Sequence, residues 1–238
     1  MLQFSLVEQI VLALFLLSGI SFFLYHLLLR LRIVLKGKSN FSVDELPKRI
    51  IRVFDEVILH KKVASGKRKS AGILHALVMY GFIFFGLITI NHFGMAFGFP
   101  IFSESFRHTY FLIFGAPWAI LCTIGILGLA YRRFVIKPEA LGKFSSTSAL
   151  VSVFIVTLMT TYLIDELHIL TGAAEKFNWW LHSGVIGGFL FLIPQSKHMH
   201  LVLSPFNIFL RPFEVPNHGA IPIDMEASEE ELDNLLLD

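Results

Sequence analysis

The chain has 238 residues, of which 55% are hydrophobic and only 16% charged, with a net charge of +2 and 25 phenylalanines. A soluble core of this length needs far fewer apolar residues, so the balance excludes an ordinary soluble domain and reads as a membrane protein. The single cysteine, Cys122, excludes a disulfide framework, an iron–sulfur cluster or a cysteine-based zinc site within the chain. It lies inside an apolar run and reads as a small packing residue.

Five apolar runs, at about 4–29, 71–97, 109–131, 147–168 and 178–196, are long enough to cross roughly 30 Å of hydrocarbon. Backbone groups in lipid must pair internally, so all five are expected to be helices. The first run follows no Lys or Arg, outlasts the apolar part of a signal peptide and ends without a cleavage pattern, so it is expected to be retained. Next comes "FSVDELPKRIIRVFDEVILHKKV", about 42–62, which predicts an amphipathic helix. Ser42 and Glu45 fit a capping box, and Ile50, Ile51, Phe54, Val57 and Ile58 share one face. Such a helix lies on the inner leaflet among anionic lipids, or it docks a partner. The second run carries His75 and His92, and the third is expected to kink at Pro117, with His108 capping its outer end. The fourth ends in "YLIDELHIL", where Asp165, Glu166 and His168 form either a proton-carrying outer quinone site or a wet loop. Trp179 and Trp180 open the fifth run as an aromatic belt. Residues 1–200 thus read as one membrane domain and 201–238 as a tail or linker, rich in Pro and then acidic, that packs on a partner or is disordered.

Charge sets the expected orientation. Of the twenty Lys and Arg residues, only Arg107 and Lys176 fall in the two loops of one side; the other eighteen share the opposite side. The positive-inside rule then places the N-terminus outside and the C-terminus in the cytoplasm.

Histidine is a poor choice for a lipid-facing surface, and the second and fifth runs are antiparallel. Depth therefore matches His92 with His182 near the outer surface, and His75 with His198 or His200 near the inner one. A spacing of 17 residues on the second run is about 25 Å of rise, and 18 on the fifth is about 27 Å. His182 and His200 are five turns apart on a straight helix and point the same way, which favours His200 over His198, although Pro194 can end the helix early. On the second run the spacing leaves the two histidines about 100° out of line. Two imidazoles from facing helices at one depth can hold the iron of a haem b. Gly81, Gly86, Gly184, Gly187 and Gly188 are expected to make room for the macrocycle. Lys67, Arg68, Lys69, Lys197 and Arg211 inside, and Arg107 or Asn178 outside, are candidate partners for its propionates. A zinc site at His198 and His200 lacks a nearby carboxylate or thiol. Elsewhere, His26 reads as a helix-end hydrogen-bonding residue and His60 as solvated, and His218 lies in the tail.

Five helices, the paired histidines and "SKHMHLVLSPFNIFLRP" resemble the gamma subunit of respiratory nitrate reductase. They resemble still more the membrane cytochrome b of heterodisulfide-reductase-type and DsrM-type complexes, including the type that passes electrons from electron-transfer flavoprotein to menaquinone. The resemblance covers about residues 5–215. It implies two haems b bound by His75, His92, His182 and His200, with His198 as a substitute or supporting group. The His75–His92 spacing exceeds that of the nitrate reductase subunit; without His92 as a ligand the count would be one haem, the inner one. The resemblance also implies a cytoplasmic iron–sulfur partner, and "RPFEVPNHGAIPIDME" is similar to the linker into such a domain. This chain has no cysteine cluster, so the partner is expected as a separate subunit or a further domain. The expectation is an all-α, five-helix dihaem cytochrome b of a bacterial or archaeal cytoplasmic membrane. As the membrane subunit of a respiratory-chain quinone oxidoreductase, it carries electrons between the iron–sulfur partner and a quinone such as menaquinone, with no nucleic-acid partner. The rival expectations are a cofactor-free anchor or proton-relay protein, and a transmembrane ferric or ascorbate-type reductase.

Overall fold

Apolar side chains that exclude water oblige the backbone to pair within its own segment, and the chain answers with helices. A computed structural model describes residues 2–34, 36, 43–59, 69–142 and 144–213, and among them there is no strand. Ser42, His60, Lys67, Arg68, His218 and the tail from 214 onward lie outside the described residues.

Helix α1 (Leu6–Val34) opens on a capping box that the sequence reading missed. The Ser5 N–H donates to Glu8 Oε2 (2.8 Å) and the Glu8 N–H to Ser5 Oγ (3.3 Å). A short α2 (Leu46–Val53) runs on as a π turn to Ile58, and α3 spans Lys69–Ala96. Helix α4 (Glu104–Ile136) is capped by Ser103, whose Oγ accepts from the Phe106 N–H, so His108 lies within the helix and does not cap it. Pro117 does not break α4. A π turn over Phe111–Gly115, just ahead of it, takes up the backbone mismatch. Helix α5 (Ser146–Glu166) ends two residues before His168, whose φ of 50° turns the chain away.

Helix α6 (Gly172–Leu192) begins and ends earlier than its apolar run. Ile193 precedes Pro194, which disfavours helix at that point. The chain turns there, Ser196 Oγ accepts from the His198 N–H (3.2 Å), and α7 (His200–Leu210) starts afresh. His200 is therefore not on the helix that carries His182, and the five-turn alignment does not apply.

Helices α1, α3, α4 and α5 are long and apolar enough to cross a membrane, yet only 11–33% of each apolar stretch is buried inside the protein. Leu6, Leu14, Ile83, Ile113 and Val153 are examples of the exposed remainder. An apolar surface of that extent suits hydrocarbon, not water. Helix α6 has the length, but its first half carries Glu175, Lys176, Asn178, His182 and Ser183; Asn178 and Ser183 are buried.

The helices pack in the order α3 on α4, α4 on α5, α5 on α6 and α6 on α1. Helices α3 and α6, which carry His75, His92 and His182, are not one of the closely packed pairs, so space is left between them. Close contact elsewhere relies on glycine. A Cβ on Gly125 would lie 2.8 Å from the Leu74 carbonyl oxygen and 3.1 Å from Leu77 Cβ, and backbone cannot yield cheaply. Gly125→Ala is expected to destabilise the α3–α4 contact by about 1–3 kcal/mol, read as a lowered unfolding temperature in detergent.

Three of the glycines expected to make room for a macrocycle serve packing instead. Gly81 meets Cys122, Gly187 meets Phe15 of α1, and Gly188 meets Phe154 of α5. Gly86 and Gly184 have open space but lie on the exposed surface and line neither cavity described below. Cys122, against Gly81, is buried packing. His26 packs against the rings of Phe22 and Tyr25, with centroids at 4.5 and 5.4 Å.

Candidate functional site

Each end of the space between α3 and the α6–α7 segment holds a cavity and a pair of imidazoles. At the basic end a cavity of about 400 Å³ is lined by His75, His198 and His200. The ring centroids of His75 and His200 are 6.1 Å apart. At the far end a cavity of about 450 Å³ is lined by His92 and His182, whose centroids are 5.0 Å apart. The pairs that depth matched are the pairs the structure brings together. The register works because His75 and His200 are both displaced. His75 is out of line with His92 on α3, and the break at Pro194 carries His200 off the α6 axis.

The hydrogen bonds fix which ring nitrogens are free. His200 Nδ1 lies 2.8 Å from the Lys197 carbonyl oxygen, which can only accept. Nδ1 therefore carries the proton and Nε2 keeps a lone pair for a metal ion. His182 Nδ1 lies 2.7 Å from Thr161 Oγ1. His92 is held differently: its Nε2 is 2.9 Å from Ser183 Oγ, and its ring stacks on Trp179 at 4.6 Å and 13°. Trp179 is accordingly no interfacial belt residue. Helix α6 starts seven residues before it, which puts the indole two turns inside the bundle and 5% exposed. His198 lines the basic-end cavity with its ring 6.3 Å from His200. Burial, then the charge of Lys197, lowers its pKa to about 4, so it stays neutral at physiological pH.

Charge separates the two cavities. Arg132, Arg133 and Lys197 line the basic-end one, and no carboxylate does. Lys197 has its pKa lowered by burial and then by Arg133. The buried Arg133 Nε has no hydrogen-bond partner among the described residues. Arg133 Nη2 donates to the Leu141 carbonyl (3.4 Å), and three cations with no carboxylate among the described lining residues suit an anionic group. The sequence reading proposed Lys67, Arg68, Lys69, Lys197 and Arg211 for that role; the first two lie outside the described residues. Of the other three only Lys197 is there: Lys69 lies outside the lining, and Arg211 pairs with Glu56. Arg132 and Arg133 were missed as anion partners, although "YRRF" at the end of an apolar run is a visible signal. The far cavity is acidic. Asp165, Glu166, Glu104, Glu175 and His168 line it with Arg107, which pairs with Glu166 at 3.0 Å. Asn178 donates instead to the Thr161 carbonyl (2.9 Å). Asn91, which the sequence reading passed over, accepts from the Ile101 and Phe102 N–H groups (2.9 and 3.0 Å) and holds the loop over this cavity.

Among the described residues no group of three or more His, Cys, Asp or Glu is placed to hold a metal ion. What is present are pairs. An imidazole nitrogen lies about 2 Å from an ion it binds, so two rings on opposite sides of one ion have centroids roughly 6 Å apart. The basic-end pair meets that separation, beside a cavity of ligand size and three cationic side chains. His75 and His200 could hold a metal ion between them, with Arg132, Arg133 and Lys197 at hand for an anionic group. The far pair is closer, and Ser183 engages His92 Nε2.

The chain is 28% identical over 228 residues to FadF of Bacillus subtilis, a probable iron–sulfur-binding oxidoreductase; the match covers 82% of this chain and 32% of that protein. It is 23% identical over 254 residues to an EtfAB:quinone oxidoreductase of Syntrophomonas wolfei, over 88% of this chain and 34% of that one. The chain thus spans about a third of the length of the curated relatives it matches. No family model and no solved structure matches it.

Proposed function

We propose that the chain is a membrane cytochrome b that carries electrons between an iron–sulfur protein in the cytoplasm and a quinone in the bilayer. The observation that carries this reading is the coincidence, at both ends of α3, of a facing imidazole pair with a cavity. The printed descriptions of the two relatives, one iron–sulfur-binding and one a quinone oxidoreductase, support the choice of partners. In this reading α6 is a fifth span, the N-terminus lies outside, and the basic end faces the cytoplasm.

His75 and His200 would hold one haem b, and His92 and His182 a second. Bound there, haem supplies one-electron redox chemistry at a potential set by its ligands and surroundings. The chain's own residues do the rest. The Lys197 carbonyl orients His200, Arg132 and Arg133 hold anionic groups, and the apolar walls keep the space dry. At the outer cavity Asp165, Glu166 and His168 are placed to take protons released by a quinol or to return them. Arg107 holds Glu166 in position.

Pyridine haemochrome stoichiometry tests the reading. Two haems b per purified chain are expected, falling to one in His92→Ala and one in His182→Ala. One haem in the wild type and an unchanged count in both variants would confine ligation to the inner pair. A folded, colourless wild-type protein would end the proposal and leave the histidines as interhelical hydrogen-bonding groups.

A further inference from the structure

Buried polar side chains number five among the described residues: Arg49, Asn91, Thr161, Asn178 and Ser183. Three of them converge on the outer histidine pair. Ser183 touches His92, Thr161 touches His182, and Asn178 holds the Thr161 carbonyl. A hydroxyl buried in an apolar bundle needs a reason for being there.

We infer that Thr161 is a positioning residue that fixes the tautomer and ring direction of His182. The Thr161 hydroxyl has one proton. The Thr157 carbonyl, 2.7 Å away, can only accept, and we take the hydroxyl proton to be directed there. The Leu158 carbonyl, 3.2 Å from the same oxygen, is a second acceptor. The hydroxyl can then meet His182 Nδ1 only as an acceptor, which places the imidazole proton on Nδ1 and leaves Nε2 with its lone pair toward the cavity. His200 reaches the same state through a backbone carbonyl. The two imidazoles of the α6–α7 segment thus share one tautomer; the Leu158 carbonyl also bonds His182, and the Thr161 hydroxyl is the replaceable part of that contact. An acceptor on the far nitrogen makes an imidazole a stronger donor to a metal ion and favours the more oxidised ion.

This inference rests on the proposed haem ligation by His182, so the experiment separates the two. Haem content and redox titration of the α band are measured on wild type, Thr161→Val, Thr161→Ser and His182→Ala. Valine keeps the shape and removes the acceptor, whereas serine restores it. The expected result for Thr161→Val is two haems retained, one midpoint unchanged, and the other moved about tenfold toward the ferrous form, an upward shift of about 59 mV for one electron. Thr161→Ser should return to the wild-type value. If valine instead loses one haem while serine keeps both, the hydroxyl is again required and the inference holds. Unchanged midpoints in Thr161→Val, or the same loss in valine and serine, would overturn it. An unchanged haem count in His182→Ala would remove the ligation reading itself, and the inference with it.

Discussion

His200→Ala is expected to reduce the haem content from two per chain to one and to leave the midpoint potential of the remaining haem in place. Electron exchange with a cytoplasmic acceptor should fall by more than about a hundredfold, because loss of supporting groups alone costs 10- to 100-fold at a metal site. His75→Ala should behave identically, since an ion held by two opposed imidazoles loses its site with either. His198→Ala is the discriminating control. Its ring also lines the inner cavity, and both rings are engaged at Nδ1, His198 by Ser196 Oγ and His200 by the Lys197 carbonyl, so the distance to His75 decides. The 6.1 Å separation from His75 is the one that suits a shared ion. His198→Ala is expected to keep both haems. Retention of both in His200→Ala, with loss of one in His198→Ala, would transfer the ligand role to His198. Arg133→Met offers an independent reading of the same cavity. It removes the buried nitrogen that lacks an acceptor, and it should weaken haem retention at the inner site without touching the outer one.

Depth was the part of this architecture that the sequence carried plainly. A helix rises about 1.5 Å per residue, so counting along antiparallel apolar runs levels His92 with His182 and His75 with His198 or His200 without any knowledge of contacts. Azimuth and neighbours were not legible in the same way. The fifth apolar run ends at about 196 and Pro194 marks a visible break, but the His182–His200 alignment took the segment as one straight helix where the backbone turns and starts again. Trp179 has the residue type and place of a membrane-surface aromatic, but a helix beginning at Gly172 carries it inward onto His92. The glycines were counted correctly and assigned wrongly. Nothing in the sequence distinguishes a glycine that faces a cavity from Gly187, which lets Phe15 approach. Polar residues such as Thr161 and Asn178 were hidden for a related reason. An isolated Thr or Asn in an apolar run has no periodic signature, and its meaning comes only from the side chain it touches.

Arg49 shows the same limit beside α7 and leads to the second large effect. In sequence it is one of the basic residues flanking an amphipathic face; in the structure it is 2% exposed. Its Nη1 donates to the Phe209 carbonyl (2.7 Å) and the Arg211 carbonyl (3.2 Å), and its Nη2 pairs with Glu45 (2.6 Å). These carbonyls belong to the end of α7, where the last turn has no intrahelical donors, and a cation there also suits the helix dipole. Arg52 adds a bond to the Arg211 carbonyl (2.6 Å) and stacks over Phe213 (3.5 Å), while Ile50, Ile51 and Phe54 stay exposed on the other face. So α2 turns its basic edge to α7 and its apolar face away from the protein. Arg49→Ala takes a charged partner from Glu45 and a donor from the Phe209 and Arg211 carbonyls, the second of which keeps Arg52. Glu45 is a third exposed, which tempers the cost to about 2–3 kcal/mol for the α2–α7 unit. Amide hydrogen exchange should rise across α7 while the spans are unaffected. Because α7 begins at His200, the inner haem should then transfer to a haem-scavenging globin faster than in the wild type, and the outer one at the wild-type rate. Arg49→Lys, which keeps the charge but not the fork, should fall between them. Exchange across α7 that matches the wild type in Arg49→Ala would mean that packing alone holds the helix, and that this arginine does not secure the inner ligand.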